Sequence, residues 1–225
     1  MNVFGRWHTG SVSQLSSLRE RKRAECWAAL HEAAAEVALE DGIESVTVDG
    51  VAGAAGVSPR TFFNYFPCKE DAVLGLREPV LDDAMLEAFD VHANLLDEVG
   101  KLMLAVTRSI QGGDDAIRHQ ILHKYPHLLH RRVQYVVKVE HLVTTAVSEL
   151  LAGSDRLADA ERILAAHPVG GQYTAEDTAR LLVMTAGTAL RFAMQKTMSQ
   201  PTLESQTEAL EHSLALLRAV LKESE

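Results

Sequence analysis

The sequence predicts an all-α fold, with a small N-terminal domain followed by a larger helical one. Only six of the 225 residues are proline and aromatic residues make up 5% of the chain, which is otherwise rich in alanine and leucine. This composition favours helices. Apolar residues recur at helical spacing along much of the chain, and no strand-like alternation with polar residues stands out. At this length the chain can bury a sizeable core.

The chain is expected to start with an arm and one long helix. Residues 1–17 are small and polar without an apolar stripe, so we expect a flexible arm there. A helix is predicted from Leu18 to Asp41, because apolar residues return to one face at helical spacing. Gly42 follows as its C-terminal stop.

Two short helices follow, and they form a helix-turn-helix. Thr47 is a good N-cap for the first of them, and Gly56 breaks that helix. Ser58 is the N-cap of the second, which starts with Pro59, where the missing N–H costs nothing. Pro67 ends it. Two short helices joined by a glycine-containing turn are typical of a DNA-binding motif.

The second helix of this motif has an aromatic side and a polar side. On a wheel of 100° per residue, Phe62 and Phe66 lie about 40° apart and are predicted to face the core. The opposite side is polar, with two further rings on its flanks. The outward residues are Arg60, Thr61 and Asn64, and the flanking rings belong to Phe63 and Tyr65.

The polar side suits DNA, since arginine can bind guanine and asparagine can bind adenine through paired hydrogen bonds. Thr47, Tyr65 and Lys69 are candidates for phosphate contacts. The alternative is an amphipathic helix with a solvated polar face. The full set of candidate DNA-binding residues is Thr47, Ser58, Arg60, Thr61, Phe63, Asn64, Tyr65 and Lys69.

The net charge of −9 is unevenly distributed. Residues 1–69 hold seven Lys and Arg against eight Asp and Glu, whereas residues 70–225 hold fifteen against twenty-three. A basic cluster, which consists of Arg19, Arg21, Lys22 and Arg23, precedes the helix-turn-helix. The chain is thus an acidic body with one locally basic end. That cluster either reaches a DNA backbone or is a solvated charge run.

The run TVDGVAGAAGVSPRTFFNYFPCKEDAV, residues 47–73, resembles the DNA-binding signature of TetR-type transcriptional regulators. The resemblance extends over residues 18–76. It implies a DNA-binding domain there and a helical effector-binding and dimerisation domain over residues 77–225. It also implies a homodimeric repressor that binds a double-stranded DNA operator and releases it when a small apolar or amphipathic molecule binds. Three departures, which are Gly50, Gly53 and Cys68, suggest a DNA-binding domain of modest stability.

The rest of the chain is predicted to form long helices and a dimer interface. The helices are expected at about 69–76, 80–97, 98–111, 114–124, 127–152, 174–198 and 203–222, with a short one at 155–166. Apolar stripes on the last two predict an interface between subunits, and the alternative is an interior position within one subunit. The interface candidates are Leu182, Ala186, Ala189, Ala193, Leu210, Leu214, Leu217 and Leu221.

An effector pocket is expected among the helices of residues 80–192. Its candidate lining residues are apolar positions on central helices, namely Leu102, Met103, Val106, Ile121, Tyr125, Val136, Met184 and Phe192.

Histidines crowd the middle of the chain at His119, His123, His127 and His130. The first two are four residues apart on one helix face, a spacing that can chelate a metal. Pro126 is expected to break the helix, so the four need not converge. They are interpreted as a metal site, as pocket-lining residues or as surface histidines, and no metal or cofactor is predicted.

Other classes of function find little support in the sequence. No phosphate-binding loop, nucleophile elbow or metalloprotease motif occurs, so an enzyme is not predicted. No apolar run is long enough for a membrane span, and two cysteines form no disulfide framework. We therefore expect a cytoplasmic protein. The competing hypotheses are an effector-independent structural DNA-binding protein and a helical metal-binding protein or enzyme with a borrowed helix-turn-helix.

Overall fold

The computed structural model describes the backbone of residues 10–113, 115–156, 174–197 and 202–222, and the side chains of 18–113, 115–156, 174–197 and 202–220. In these ranges the regular structure is helical, which confirms the all-α prediction. None of the described helices is long and apolar enough to cross a membrane. The α-helices are α1 (Gly10–Glu40), α2 (Val48–Ala54), α3 (Pro59–Phe63), α4 (Lys69–Leu74), α5 (Asp83–Glu87), α6 (Leu95–Ser109), α7 (Asp115–Lys124), α8 (Leu129–Ala152), α9 (Ala175–Lys196) and α10 (Leu203–Lys222).

Some helix boundaries differ from the prediction. Helix α1 begins at Gly10, upstream of the predicted start at Leu18, so residues 10–17 are helical and not an arm. The expected single helix over 80–97 is broken, because the Asn94 side chain accepts hydrogen bonds from the N–H groups of Leu96 and Asp97 and so starts α6 afresh. Residues 1–9 of the expected arm lie outside the described residues, as does most of the predicted helix 155–166.

The chain divides into two compact units. The first comprises residues 1–77 and 112–128, which carry α1 to α4 and α7. The second comprises residues 78–111 and 129–225, which carry α5, α6 and α8 to α10. The sequence-based division assigned residues 112–128 to the C-terminal domain, whereas the structure groups them with the N-terminal helices.

Contacts of α7 explain why it belongs to the first unit. The Tyr125 hydroxyl donates to the carbonyl oxygen of Ala38 at 2.7 Å and accepts from the N–H of Ile43 at 3.2 Å. The buried Arg118 guanidinium donates from Nε to the carbonyl oxygen of Leu74 at 3.1 Å. These bonds attach α7 to the C-terminal ends of α1 and α4, where helix carbonyl groups need partners.

The core of the first unit is built on one face of α1. Trp27, Leu30, Ala34 and Ala38 are all buried, as the helical spacing of the sequence predicts. The rings of Phe62 and Phe66 and the apolar residues of α4 complete this core. Gly42, at φ 96°, lies just after the end of α1, a backbone conformation that favours glycine.

Helix α9 is the centre of the second unit and packs against α6, α8 and α10. Ala186, Ala189 and Ala193 are buried in this packing. Leu210 and Leu214 of α10 are buried as well, and a Cβ added to Gly100 of α6 would lie 3.0 Å from Leu214 Cδ1. The small residues therefore let three helices approach one another within a single chain.

Five of the eight residues predicted at the dimer interface are buried within the single chain, namely Ala186, Ala189, Ala193, Leu210 and Leu214. One apolar side of α9 therefore packs against helices of its own chain, and the contact with a second copy stays a prediction. Leu182 and Leu217 are half-buried beside this core, and the side chain of Leu221 lies outside the described residues. The other side of α9 is exposed, with Leu181 at 67%, Met184 at 60% and Phe192 at 44% of their full accessibility.

Candidate nucleic-acid interface

Side-chain caps set the two helices of the helix-turn-helix. The hydroxyl of Thr47 accepts from the N–H of Gly50 at 3.1 Å, and Thr47 has the extended backbone of an N-cap. The hydroxyl of Ser58 accepts from the N–H of Thr61 at 3.1 Å. Between the two helices, Gly56 has φ 68°, which favours glycine. Both predicted caps and the glycine turn are confirmed.

Helix α3 is a single short turn that is anchored by two rings. Phe62 and Phe66 have no solvent exposure, which confirms their predicted core positions. Their ring centroids are 5.8 Å apart, and Phe66 contacts Trp27 of α1 with centroids at 5.5 Å. The helix ends at Phe63, earlier than predicted, but the N–H of Phe66 still donates to the carbonyl oxygen of Phe62 at 3.0 Å. Helical spacing therefore persists as far as Phe66.

The opposite side of α3 faces solvent. Arg60 and Asn64 are exposed, and the ring of Phe63 is 58% exposed although it touches Phe62 edge-on. Thr61 is half-buried, and its hydroxyl lies 2.9 Å from that of Ser58. These side chains lie where the helical wheel placed them, and their contacts with DNA stay a prediction.

Tyr65, two residues after the end of α3, contacts Cys26 of α1. It is half-buried, and burial raises the pKa of its phenol, as does a hydrogen bond with the thiol of Cys26. The phenol therefore keeps its proton at neutral pH and remains a hydrogen-bond donor. Neither the position of Cys26 nor its spacing from Tyr65 in the sequence predicts this contact.

Lys69 does not project freely towards solvent. Its ammonium donates to the carbonyl oxygens of Ile43 and Val46, at 3.2 and 3.1 Å. Those carbonyls belong to the 3-10 turn Ile43–Ser45 and the residue after it. The charge of Lys69 thus holds together two segments of the domain, and its contact with a DNA phosphate stays a prediction. Sequence reasoning missed this role because it had not placed a turn there.

The N-cap of α4 is one of the positions where the sequence departs from the family pattern. Cys68 occupies the N-cap position and makes no side-chain cap hydrogen bond, as expected of cysteine in place of serine. The acidic side chains of Glu70 and Asp71 stand in the first turn, where the helix dipole favours negative charge.

The basic cluster on α1 is exposed along its whole length. Arg19, Lys22 and Arg23 are exposed, and Arg21 lies 3.5 Å from Glu25 in an exposed ion pair. Such a pair contributes little to stability, because both charges stay solvated. The four positive charges are therefore available to a polyanion.

The predicted pocket residues are divided between the two units. Ile121 and Tyr125 belong to the first unit, whereas the other candidates belong to the second. Met184 and Phe192 are exposed on α9. The remaining candidates, Leu102, Met103 and Val106, are buried on α6, and Val136 is half-buried on α8.

The histidine-rich segment lies on the surface. His119, His123, His127 and His130 are all exposed. In the part of the chain that the structure describes, no three histidine, cysteine or acidic side chains come close enough to hold a metal ion.

Comparisons with known proteins agree with this site. Residues 30–74 match the sequence model described as "Bacterial regulatory proteins, tetR family". The HTH-type transcriptional regulator TcmR of Streptomyces glaucescens is 33% identical over 111 residues, which cover 47% of this chain and 48% of that protein. The match thus spans about half the length of the curated relative.

Two solved structures are similar at low identity. Salmonella enterica GusR is 20% identical, with 86% of this chain and 95% of that one covered at a TM-score of 0.36. The Thermus thermophilus FadR, a TetR-family repressor in complex with lauroyl-CoA, is 19% identical, with 85% and 92% covered at a TM-score of 0.30.

The capped helix pair with an exposed arginine and asparagine defines a helix-turn-helix protein. Residues 30–74, which hold this helix pair, match the DNA-binding part of bacterial regulatory proteins of the TetR family.

Proposed function

We propose that the chain binds a double-stranded DNA operator as a homodimeric repressor, and that a small apolar or amphipathic molecule releases it. The observation that supports this most is the division of α3 into two sides. Phe62 and Phe66 are wholly buried, so they fix the rotation of the helix, while Arg60 and Asn64 are exposed. A helix held in this way presents its polar side in one orientation, which reading of base edges requires.

Each exposed side chain of α3 has a matching base. The Arg60 guanidinium can bind O6 and N7 of guanine, and the Asn64 amide can bind N6 and N7 of adenine. The ring of Phe63 suits the methyl group of thymine, since 58% of it is exposed to solvent in the free protein. We therefore infer an operator half-site that includes a guanine, an adenine and a thymine.

Affinity without sequence preference would come from phosphate contacts. The exposed positive charges of Arg19, Lys22 and Arg23 precede the core residues of α1, in a chain that is otherwise acidic. Each lysine or arginine that meets a phosphate releases a condensed counterion, so binding weakens as salt rises.

A second copy of the chain is the partner proposed for the exposed side of α9. Leu181, Met184 and Phe192 are exposed there, and Leu216 is 55% exposed on α10. Exposed large apolar side chains that share one side of a helix are candidates for a protein–protein interface. A dimer also accounts for function, because two reading helices must enter successive major grooves about 34 to 36 Å apart.

The effector part of the proposal rests on the resemblance of residues 30–74 to TetR-family regulators and on the apolar interior of the second unit. Helix α6 carries Leu102, Met103 and Val106 into that interior. Suppose that the protein has one state with high and one with low operator affinity. A ligand that binds the second state more tightly than the first would shift the protein towards the second state.

Operator selection tests the proposal. Purified protein would be used to select duplexes from a random pool at about 0.15 M salt, with the double variant Arg60→Ala and Asn64→Ala as the control. We expect an enriched inverted repeat for the native chain and none for the control. A metabolite extract would then be tested for release of the selected duplex.

The other outcomes separate the competing functions. Binding without an enriched sequence would identify a structural DNA-binding protein, and the absence of any duplex binding would overturn the proposal. If the protein enriches one sequence but no extract releases it, the proposed DNA recognition stands and the proposed response to an effector is contradicted.

A further inference from the structure

A buried histidine lies where α1 meets α4. His31 is only 2% exposed, and its Nδ1 lies 2.7 Å from the carbonyl oxygen of Ala72. A carbonyl oxygen can only accept, so Nδ1 carries the proton and donates it. Ala72 belongs to the last turn of α4, and its carbonyl oxygen also accepts from the N–H of Gly75 at 3.2 Å. The imidazole is thus a second donor to the C-terminal end of α4.

The other ring nitrogen faces glycine backbone. A Cβ added to Gly75 would lie 2.9 Å from Nε2 of His31, and one added to Gly113 would meet the same atom. Both glycines have positive φ, 60° and 73°, so the chain turns sharply on this side of the ring. Among the described residues, no hydrogen bond to Nε2 is found. A second proton would therefore place a positive charge on the side of the ring where the backbones of Gly75 and Gly113 pack closely.

The charges around His31 also oppose a second proton. Among the described residues, the charges that act on the His31 ring are those of Arg118 of α7, Arg77 after α4 and Glu32 of α1, of which two are positive and one is negative. Burial lowers the pKa of His31, the hydrogen bond to Ala72 acts in the opposite direction, and Arg118 lowers it further. Arg118 is held in place by Asp115 and by the carbonyl oxygens of Leu74 and Gly112.

Protons can reach this site from solvent. A cavity of about 300 Å³ lies beside the ring and is lined by Trp27, His31, Glu32, Arg77 and Gly113, among others. Arg77 stacks on Trp27 with its guanidinium carbon 3.8 Å from the ring centroid. Water in this cavity provides a route to the imidazole that needs no unfolding of the unit.

We propose that His31 makes the first unit acid-sensitive: a second proton on its ring pushes the Gly113 and Gly75 backbones away, loosens α4 and weakens the hold on DNA. The last step depends on the proposed function, whereas the loss of stability does not. The charged ring would lie near the guanidinium groups of Arg77 and Arg118, and repulsion between these charges would favour separation of α1 from α4.

The direction of the pH dependence follows from linkage. The unfolded chain binds a proton at His31 near pH 6.5, and the folded chain binds it only at lower pH. The stability is therefore complete above about pH 6.5 and declines as the pH falls towards the lowered pKa of the folded state. Below that pKa the contribution of His31 stays constant.

Thermal unfolding between pH 7.5 and 5 tests the stability step, with His31→Asn as the variant and His119→Asn as its control. Asparagine keeps an N–H for Ala72 but does not titrate, and His119 is an exposed histidine of the same unit. We expect the native chain and the control to lose Tm in parallel as the pH falls, and His31→Asn to lose less. Equal losses in all three would overturn the proposal.

A direct titration covers the case in which His31→Asn does not fold. In the native chain, histidine ring NMR signals should show one imidazole that titrates below the exposed ones. If every histidine titrates together near pH 6.5, the proposal fails.

Binding to the selected operator at pH 7.5 and 5.5 then tests the DNA step. The native chain should lose more affinity than His31→Asn, because only the native ring gains a proton over this pH range. Equal losses would overturn this step. Absence of operator binding at pH 7.5 would refute the proposed function and leave the unfolding test standing.

Discussion

The ammonium of Lys69 donates to the carbonyl oxygen of Val46 at 3.1 Å. Lys69 is the first residue of α4, so this bond ties the start of α4 to the segment just before α2. A second bond from the same nitrogen reaches Ile43 at 3.2 Å. Val46 precedes Thr47, the N-cap of α2. The position of α2, which packs against α3, therefore depends on Lys69, a residue that follows both helices in the sequence.

Removal of this ammonium should destabilise the domain. Lys69→Met keeps an unbranched side chain but leaves two carbonyl groups without their charged donor, which costs about 1.5 to 3 kcal/mol for a bond of this kind. Urea unfolding followed by circular dichroism measures this loss. The matched control is Lys22→Met, an exposed lysine that should change the stability by less than about 0.5 kcal/mol. Equal stabilities of the two variants would show that the Lys69 bonds contribute nothing.

The two glycines of α2 should respond in opposite ways to alanine. A Cβ at Gly53 would meet nothing within 4 Å, so Gly53→Ala should stabilise the protein by about 0.4 to 1 kcal/mol. A Cβ at Gly50 would lie 2.9 Å from the Thr47 hydroxyl oxygen, which is the cap of the helix. Gly50→Ala should therefore gain less than Gly53→Ala or lose stability. The Tm values of the two variants, measured under the same conditions, test this prediction. A larger increase in Tm for Gly50→Ala than for Gly53→Ala would contradict it.

Arg60→Ala should change base preference, whereas Arg23→Ala should change affinity alone. Loss of a paired contact to guanine costs about 1 to 3 kcal/mol at one base pair per half-site. Arg23 is exposed in the basic cluster, so its loss should weaken binding to all duplexes alike and reduce the salt dependence by about one contact per subunit. Titration of native and single-base-changed operators at several salt concentrations separates the two effects. An unchanged selected sequence for Arg60→Ala would show that α3 reads DNA with other side chains.

Local signals carried the sequence-based prediction of the helix-turn-helix. Thr47, Ser58 and Gly56 act within their own turns, so the residues themselves specify the caps and the left-handed backbone. Lys69 and Tyr125 act through hydrogen bonds to carbonyl groups far away in the chain, and no spacing rule reveals such bonds. Their roles became visible only when the helices were placed.

Periodicity predicts two apolar sides for α9, but it does not show which side packs against the same chain. Ala186 and Ala189 are buried among neighbouring helices of one chain. The larger side chains on the other side are exposed, and we propose a second copy as their partner.

The exposed side of α9 gives the last prediction, which concerns assembly. Met184→Glu with Phe192→Glu should convert a dimer into a folded monomer, because unpaired charges in a dry interface cost several kcal/mol. Both side chains are exposed in the single chain, at 60% and 44%, so the fold of each subunit should survive. Light scattering should give a mass near the 24.6 kDa of one chain, against twice that for the native protein.

Two further variants make this result specific. Val133→Glu with Val137→Glu introduces the same charges on α8 at positions that are 49% and 56% exposed, and this variant should stay dimeric. Leu214→Glu places a charge in the core of the second unit, where Leu214 is 3% exposed, and should reduce the helical circular dichroism signal. If the Met184 and Phe192 variant stays dimeric and folded, the second copy does not bind at this side of α9. If Leu214→Glu instead yields a stable helical monomer, the stripe that we assign to the core would be the interface after all.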